Sequence, residues 1–124
     1  KIDGISFLPL LDGKKLISEK PVFWFYYNDF SYSTMAMRVG DFMMLARRTG
    51  EHYYPGTGFD PDRMPAIKES KPRSYELYNL NDDIGQTQFV QDIYPKVYEE
   101  MKSELDRIFA DVQNESPIWD WDDY

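Results

Sequence analysis

Met35-Ala36-Met37-Arg38-Val39-Gly40-Asp41-Phe42-Met43-Met44-Leu45-Ala46 is the stretch that decides the fold. Two apolar runs flank Gly40-Asp41, and glycine takes a positive φ without steric penalty, so the stretch reads as two strands around a tight turn. An isolated hairpin is marginal in water and needs further strands or a helix. Both flanks supply them. Upstream, Val22-Phe23-Trp24-Phe25-Tyr26-Tyr27 starts after Pro21, stops at Asn28-Asp29 and is rich in aromatic residues, the profile of a strand covered on both faces. Downstream, Tyr75-Glu76-Leu77-Tyr78-Asn79-Leu80 alternates as a further strand, closed by turn-forming Asn81-Asp82-Asp83-Ile84-Gly85. Pro95 suits the first turn of a helix, and Val97, Met101, Leu105, Ile108, Phe109 and Val112 then draw one apolar stripe at spacings of three and four. The expected class is α+β, with about four antiparallel strands and a long C-terminal helix packed across one face.

The remaining segments carry weaker patterns. Ser6 to Leu11 reads as a short apolar helical turn ended by Asp12-Gly13, with almost no polar face. Arg47 to Pro72 holds four of the eight prolines (Pro55, Pro61, Pro65, Pro72) together with Gly50, Gly56 and Gly58, and reads as a long irregular excursion. Pro117 to Tyr124 mixes Trp119, Trp121 and acids without a period and reads as a tail. The expected organisation is a leading segment over 1–20, a folded unit over 21–112 with its long loop over 47–73, and an acidic-aromatic tail over 113–124. A first residue of Lys1 rather than Met suggests a piece of a longer protein.

Composition narrows the function classes. The chain has 124 residues, 42% of them hydrophobic and 17% aromatic, enough for one domain with a real core. A formal charge of -8 works against nucleic acid and anionic membranes, since every phosphate contact would be made against the field of the whole protein. No stretch approaches the roughly 18 to 20 apolar residues that a membrane crossing needs. Zero cysteines exclude a disulfide framework, a thiolate metal site and a cysteine nucleophile within these residues.

Four segments, in order, resemble the end of the sulfatase family of the alkaline-phosphatase-like type. Asp3-Gly4-Ile5-Ser6-Phe7-Leu8-Pro9-Leu10-Leu11-Asp12-Gly13 is similar to the D-G-x-S-x-L-P-x-L-x-G segment that leads out of the family's large catalytic domain. Pro21-Val22-Phe23-Trp24-Phe25 resembles the aromatic strand that follows. Ala36 to Leu45 resembles its A-hydrophobic-R-x-G-x-x-K-hydrophobic hairpin, and Tyr75 to Gln86 its E-L-Y-(D/N)-L-x-x-D-P-x-E signature, after which the family has a helix opening on a proline turn, as at Tyr94-Pro95. Three departures stand out: Met43 or Met44 replaces the usual Lys, Ile84 the usual Pro, and Gln86 lies near the usual Glu.

The resemblance implies a C-terminal subdomain that carries no catalytic residue of its own. The formylglycine nucleophile, made from Cys or Ser in a Cys/Ser-x-Pro-x-Arg motif, and its calcium ion would belong to a catalytic domain upstream. Phe7, Leu8, Leu10 and Leu11 would dock on that domain. The parent would act on a sulfated glycan or an aryl sulfate, in the periplasm or outside the cell. The alternative is a stand-alone carbohydrate-binding module, suggested by the aromatic content and by Trp119 and Trp121.

Among individual residues, Arg47, His52, Tyr53, Tyr54 and Arg63, with Arg48 beside them, place aromatic faces and positive charge in the long loop of an acidic chain. That mix suits the rim of a site for a sulfated sugar. The plainer reading has the tyrosines pin the loop and the arginines neutralise nearby acids, and it is preferred. Ser70-Lys71-Pro72-Arg73 imitates the nucleophile motif but brings Arg one residue early. Asn79, Asn81 and Asp83 alternate like the start of a calcium loop, yet Ile84 stands where glycine is needed and Val90 where a bidentate Glu is needed, so a polar turn is expected.

Overall fold

A computed structural model describes residues 5–15, 20–26, 35–49 and 64–117. The described elements are α1 (Leu8–Leu11), β1 (Val22–Phe25), β2 (Met35–Val39), β3 (Phe42–Arg48), α2 (Met64–Lys68), β4 (Pro72–Asn79) and α3 (Pro95–Glu115). The strands form one four-stranded sheet in the order β1-β2-β3-β4, every neighbour antiparallel. The α+β class, the antiparallel sheet and the C-terminal helix packed against it are therefore as the sequence pattern indicates.

The hairpin forms where its chemistry demands. Val39 pairs with Phe42 across Gly40-Asp41. Gly40 has φ +58°, while Asp41 keeps a negative φ, the arrangement of a type II′ turn. Arg38 Nε donates to the Gly40 carbonyl at 2.9 Å and braces the turn.

Alternation along the strands sends one set of side chains toward α3. Met35 and Met37 of β2, Met44 and Ala46 of β3 and Leu77 of β4 are buried against Met101, Leu105 and Phe109 of α3. Phe25 meets Phe109 edge to face with centroids 5.1 Å apart. Methionine dominates this layer, and its unbranched, polarizable side chain fills the irregular gap between a twisted sheet and a helix.

Several boundaries differ from the sequence reading. β1 is an edge strand, not one covered on both faces: Phe23 and Phe25 turn inward, while Val22 and Trp24 remain 48% and 49% exposed. An apolar run with no period cannot report which of its faces is covered. The span 47–73 is not one irregular loop. Arg47 and Arg48 end β3, Pro72 and Arg73 open β4, and α2 lies between them, with Pro65 in its first turn, where a proline costs nothing. Residues 50–63 of that span lie outside the described residues. α3 runs three residues past Val112 to Glu115, so the expected tail boundary at 113 falls inside the helix. Val112, at the edge of the stripe, is 37% exposed.

β4 lengthens toward its N-terminus through a bulge. Leu45 pairs with Glu76 but Arg47 pairs with Arg73, so Ser74 and Tyr75 together face Ala46. Ser74 takes φ +52°, the left-handed first residue of such a bulge. The outer side of β4 is tied to the next segment, since Val90 N–H donates to the Leu77 carbonyl at 2.9 Å. That contact blunts an edge that would otherwise offer unpaired main-chain groups.

Candidate functional site: a cleft between α2, β4 and α3

Of the expected rim residues, Arg47 alone is described. It stands on β3 on the sheet face opposite α3, with its guanidinium 3.8 Å from Glu76 Oε1. Tyr78 lies on the same face, donating its hydroxyl to Glu76 Oε2 at 3.1 Å and packing its ring against Phe89. Arg47 thus lies beside an acid of the neighbouring strand, and it is strand-borne rather than loop-borne. His52, Tyr53, Tyr54 and Arg63 lie outside the described residues, as do Trp119 and Trp121.

Both motif imitations make local hydrogen bonds. Ser70 is buried, and its hydroxyl donates to the Ile67 carbonyl at 2.6 Å, closing the last turn of α2. The turn after β4 spends its polar groups on itself. Asn79 Nδ2 donates to Asp82 at 2.8 Å, and the Asp83 carboxylate accepts from the main-chain N–H of Thr87 and Gln88 at 2.6 and 2.9 Å. Those bonds, led by the one from Gln88, hold the Asp83 carboxyl below the usual range. Among the described residues no group of three or more acids or histidines converges on a metal position.

Polar side chains do converge on the other face of the sheet. A cleft of about 850 Å³ opens between α2, the start of β4 and the C-terminal half of α3. Pro72, Tyr75, Phe109 and Ala110 contribute its apolar surface, with Lys68, Lys71, Lys102, Asp106 and Gln113 around them. Each element sets one part. Tyr75 shares the α3-facing side of β4 with Leu77, and its hydroxyl donates to Asp106 Oδ1. Lys102, one turn earlier on α3, donates to Asp106 Oδ2 at 2.9 Å and lies 4.7 Å from the centre of the Tyr75 ring, a cation-π distance. Burial, followed by the bond to Asp106, pushes the Tyr75 hydroxyl well above its ordinary pKa, and Asp106 likewise raises that of Lys102. Both groups keep their protons at neutral pH.

Lys68 closes the far end. Its ammonium donates to the Gln113 carbonyl at 2.8 Å and to Ser116, neutralising the exposed carbonyls at the C-terminus of α3. Gln113 returns the contact, Nε2 donating to the Ile67 carbonyl at 2.8 Å. Sequence reasoning missed this cleft. The Lys102–Asp106 pair at i,i+4 was legible, but nothing local links either residue to Tyr75 or to α2.

No helix among the described residues is long and apolar enough to cross a membrane. No family model and no curated protein matches the chain.

Proposed function

We propose that the chain is the non-catalytic C-terminal subdomain of a sulfatase of the alkaline-phosphatase-like type, docked through α1 on a catalytic domain that precedes it. One observation carries this reading. The four sulfatase-like segments fall in order on α1, β1, the β2–β3 hairpin and β4, with α2 standing before β4 and the proline-opened helix after it. The exposed flank of α1 adds to it, since Phe7, Leu8, Leu10 and Leu11 all face solvent and none is buried. The nucleophile and calcium ion belong to the preceding domain, and the parent acts on a sulfated glycan or an aryl sulfate outside the cytoplasm.

The test joins the chain to the segment encoded immediately upstream and measures calcium-dependent hydrolysis of 4-nitrophenyl sulfate. The joined protein hydrolyses it and the chain alone does not. Activity in the chain alone, or an upstream segment without a Cys/Ser-x-Pro-x-Arg motif, overturns the proposal.

A second reading has one specific observation in its favour. Trp24 of β1 and Tyr26, just past its end, are both exposed, and two residues along an extended chain is a separation suited to stacking on a sugar. A free-standing carbohydrate-binding module would lose its ligand when both are changed to Ala.

A further inference from the structure

A second hollow, of about 440 Å³, lies between the N-terminal half of α3 and the strands β2 and β3. Met37 and Met101, buried themselves, close its floor, and half-buried Pro21, Val39, Phe42 and Val97 form its walls. The volume is in the range of pockets that hold a small molecule. Its mouth carries two acids, Glu100 and Glu104. Glu104 is committed to Arg107 at 2.8 Å, whereas Glu100 faces Lys96 at 3.7 Å in a pair open to water, which holds little.

An apolar groove with an acidic mouth suits an apolar segment followed by positive charge, and the chain contains one. Phe7, Leu8, Leu10 and Leu11 are exposed, and Lys14 and Lys15 follow them, exposed as well. Lys14 lies 3.6 Å from Asp12, which leaves Lys15 as the cation to meet Glu100. The chain's own α1 does not fill the groove, since none of its residues is buried. Pro21, just before β1, stands in the groove wall, and Leu11 lies ten positions earlier, at most roughly 36 Å of extended chain. α1 therefore starts from the mouth of its own groove and can cross to a copy whose groove faces it, and a twofold arrangement makes the same contact twice.

We propose that the groove between β2, β3 and α3 receives α1 of a second copy of this chain in a reciprocal dimer, its apolar side chains on Val39, Phe42 and Val97 and its Lys15 beside Glu100. Groove and helix both belong to the chain, so the inference does not rest on the sulfatase reading, and a preceding domain seated on α1 displaces the exchange.

The chain has no cysteine, so a spin label on Asp12→Cys, an exposed position next to α1, marks one site. Spin-labelled chain without isotope is mixed with isotope-labelled parent chain, so that any broadening of amide NMR signals passes between copies. Broadening is expected at Val39, Phe42, Val97 and Met101 and is lost on dilution. Val97→Glu should weaken dimerisation in sedimentation by about tenfold, because it sets a charge against apolar side chains. Lys15→Glu, exposed and so without effect on folding, should weaken it by about threefold at low salt and leave it unchanged at about 1 M salt, where such contacts are screened. No broadening at the groove in the mixed sample, broadening only when label and isotope share one dilute chain, or an unchanged dissociation constant in either variant at low salt overturns the proposal.

Discussion

The hydroxyl of Tyr75 on the edge strand donates to the carboxylate of Asp106 on the long helix, 31 positions away in sequence, and Lys102 holds the second oxygen of that carboxylate at 2.9 Å. This three-group contact is the main polar link between β4 and α3. Removing its centre leaves two donors without their acceptor. Asp106→Ala should cost about 1 to 3 kcal/mol, and Tyr75→Phe less, about 0.5 to 1.5 kcal/mol, because Lys102 still satisfies the carboxylate. Urea unfolding of the two variants and their double mutant checks this. A double mutant that costs the full sum would mean that the two residues act independently.

A second prediction concerns the bulge. Ser74 sits at φ +52°, where an L side chain is strained and glycine is not. Ser74→Gly should raise stability by about 0.5 to 1 kcal/mol, and Ser74→Val should lower it by at least about 1 kcal/mol. A destabilised Ser74→Gly would show that the hydroxyl, not the backbone, matters at this position.

How much of this architecture was legible depends on how local its causes are. Gly40 announces the hairpin because the turn needs a positive φ at that residue. Met101, Leu105 and Phe109 announce their helix face because the period of four is their burial pattern. Ser74 announces nothing, since serine also occupies ordinary strand positions and the bulge is imposed by pairing with β3. Pro65 misleads because one residue type both opens helices and breaks them. The outer face of β1 misleads for a similar reason: Val22 and Trp24 are as apolar as Phe23 and Phe25. The cleft lies furthest from view, being assembled from three elements whose local patterns do not link them to one another.

The stripe on α3 is graded, and its grading can be measured. Leu105 is fully buried at its centre, whereas Val112 is at the margin. Leu105→Ala should cost about 2 to 5 kcal/mol, as for a large-to-small change in a packed core. Val112→Ala should cost under about 1 kcal/mol, comparable to a surface change. Similar losses at the two positions would mean that the end of the helix is packed far more tightly than its exposure indicates.

Alkaline pH should reveal Tyr78. Burial, followed by its bond to Glu76, pushes its hydroxyl from 10.0 up to about 12. A pKa raised in the folded state favours the protonated form, so its contribution is complete below pH 10 and is lost as pH rises from about 10 to 12. Tyr78→Phe should therefore be less stable than the parent at pH 8 and should lose less on going to pH 11. Parallel pH profiles of the urea midpoint would remove Tyr78 as the source.

The last prediction concerns α1, which forms a helical turn yet buries none of its residues. Pro9 in its first turn and Gly13 at φ +70° after its end account for the turn without any tertiary contact. Leu8 and Leu11 are 64% and 73% exposed, with Phe7 and Leu10 beside them. Covering such side chains is worth roughly 1.5 to 3 kcal/mol each, so a surface that presents them together favours association. In the proposed parent the catalytic domain would cover them, and in the chain alone another copy would. Sedimentation should then show mass rising with concentration for the parent chain, and Leu8→Ser with Leu11→Ser together should return it to a monomer. The urea midpoint of the double variant, measured where the parent is monomeric, should not move, because α1 contributes no buried side chain to the sheet. A lowered midpoint would mean that α1 packs on its own sheet, and association that survives the double change would direct attention to the exposed face of β1.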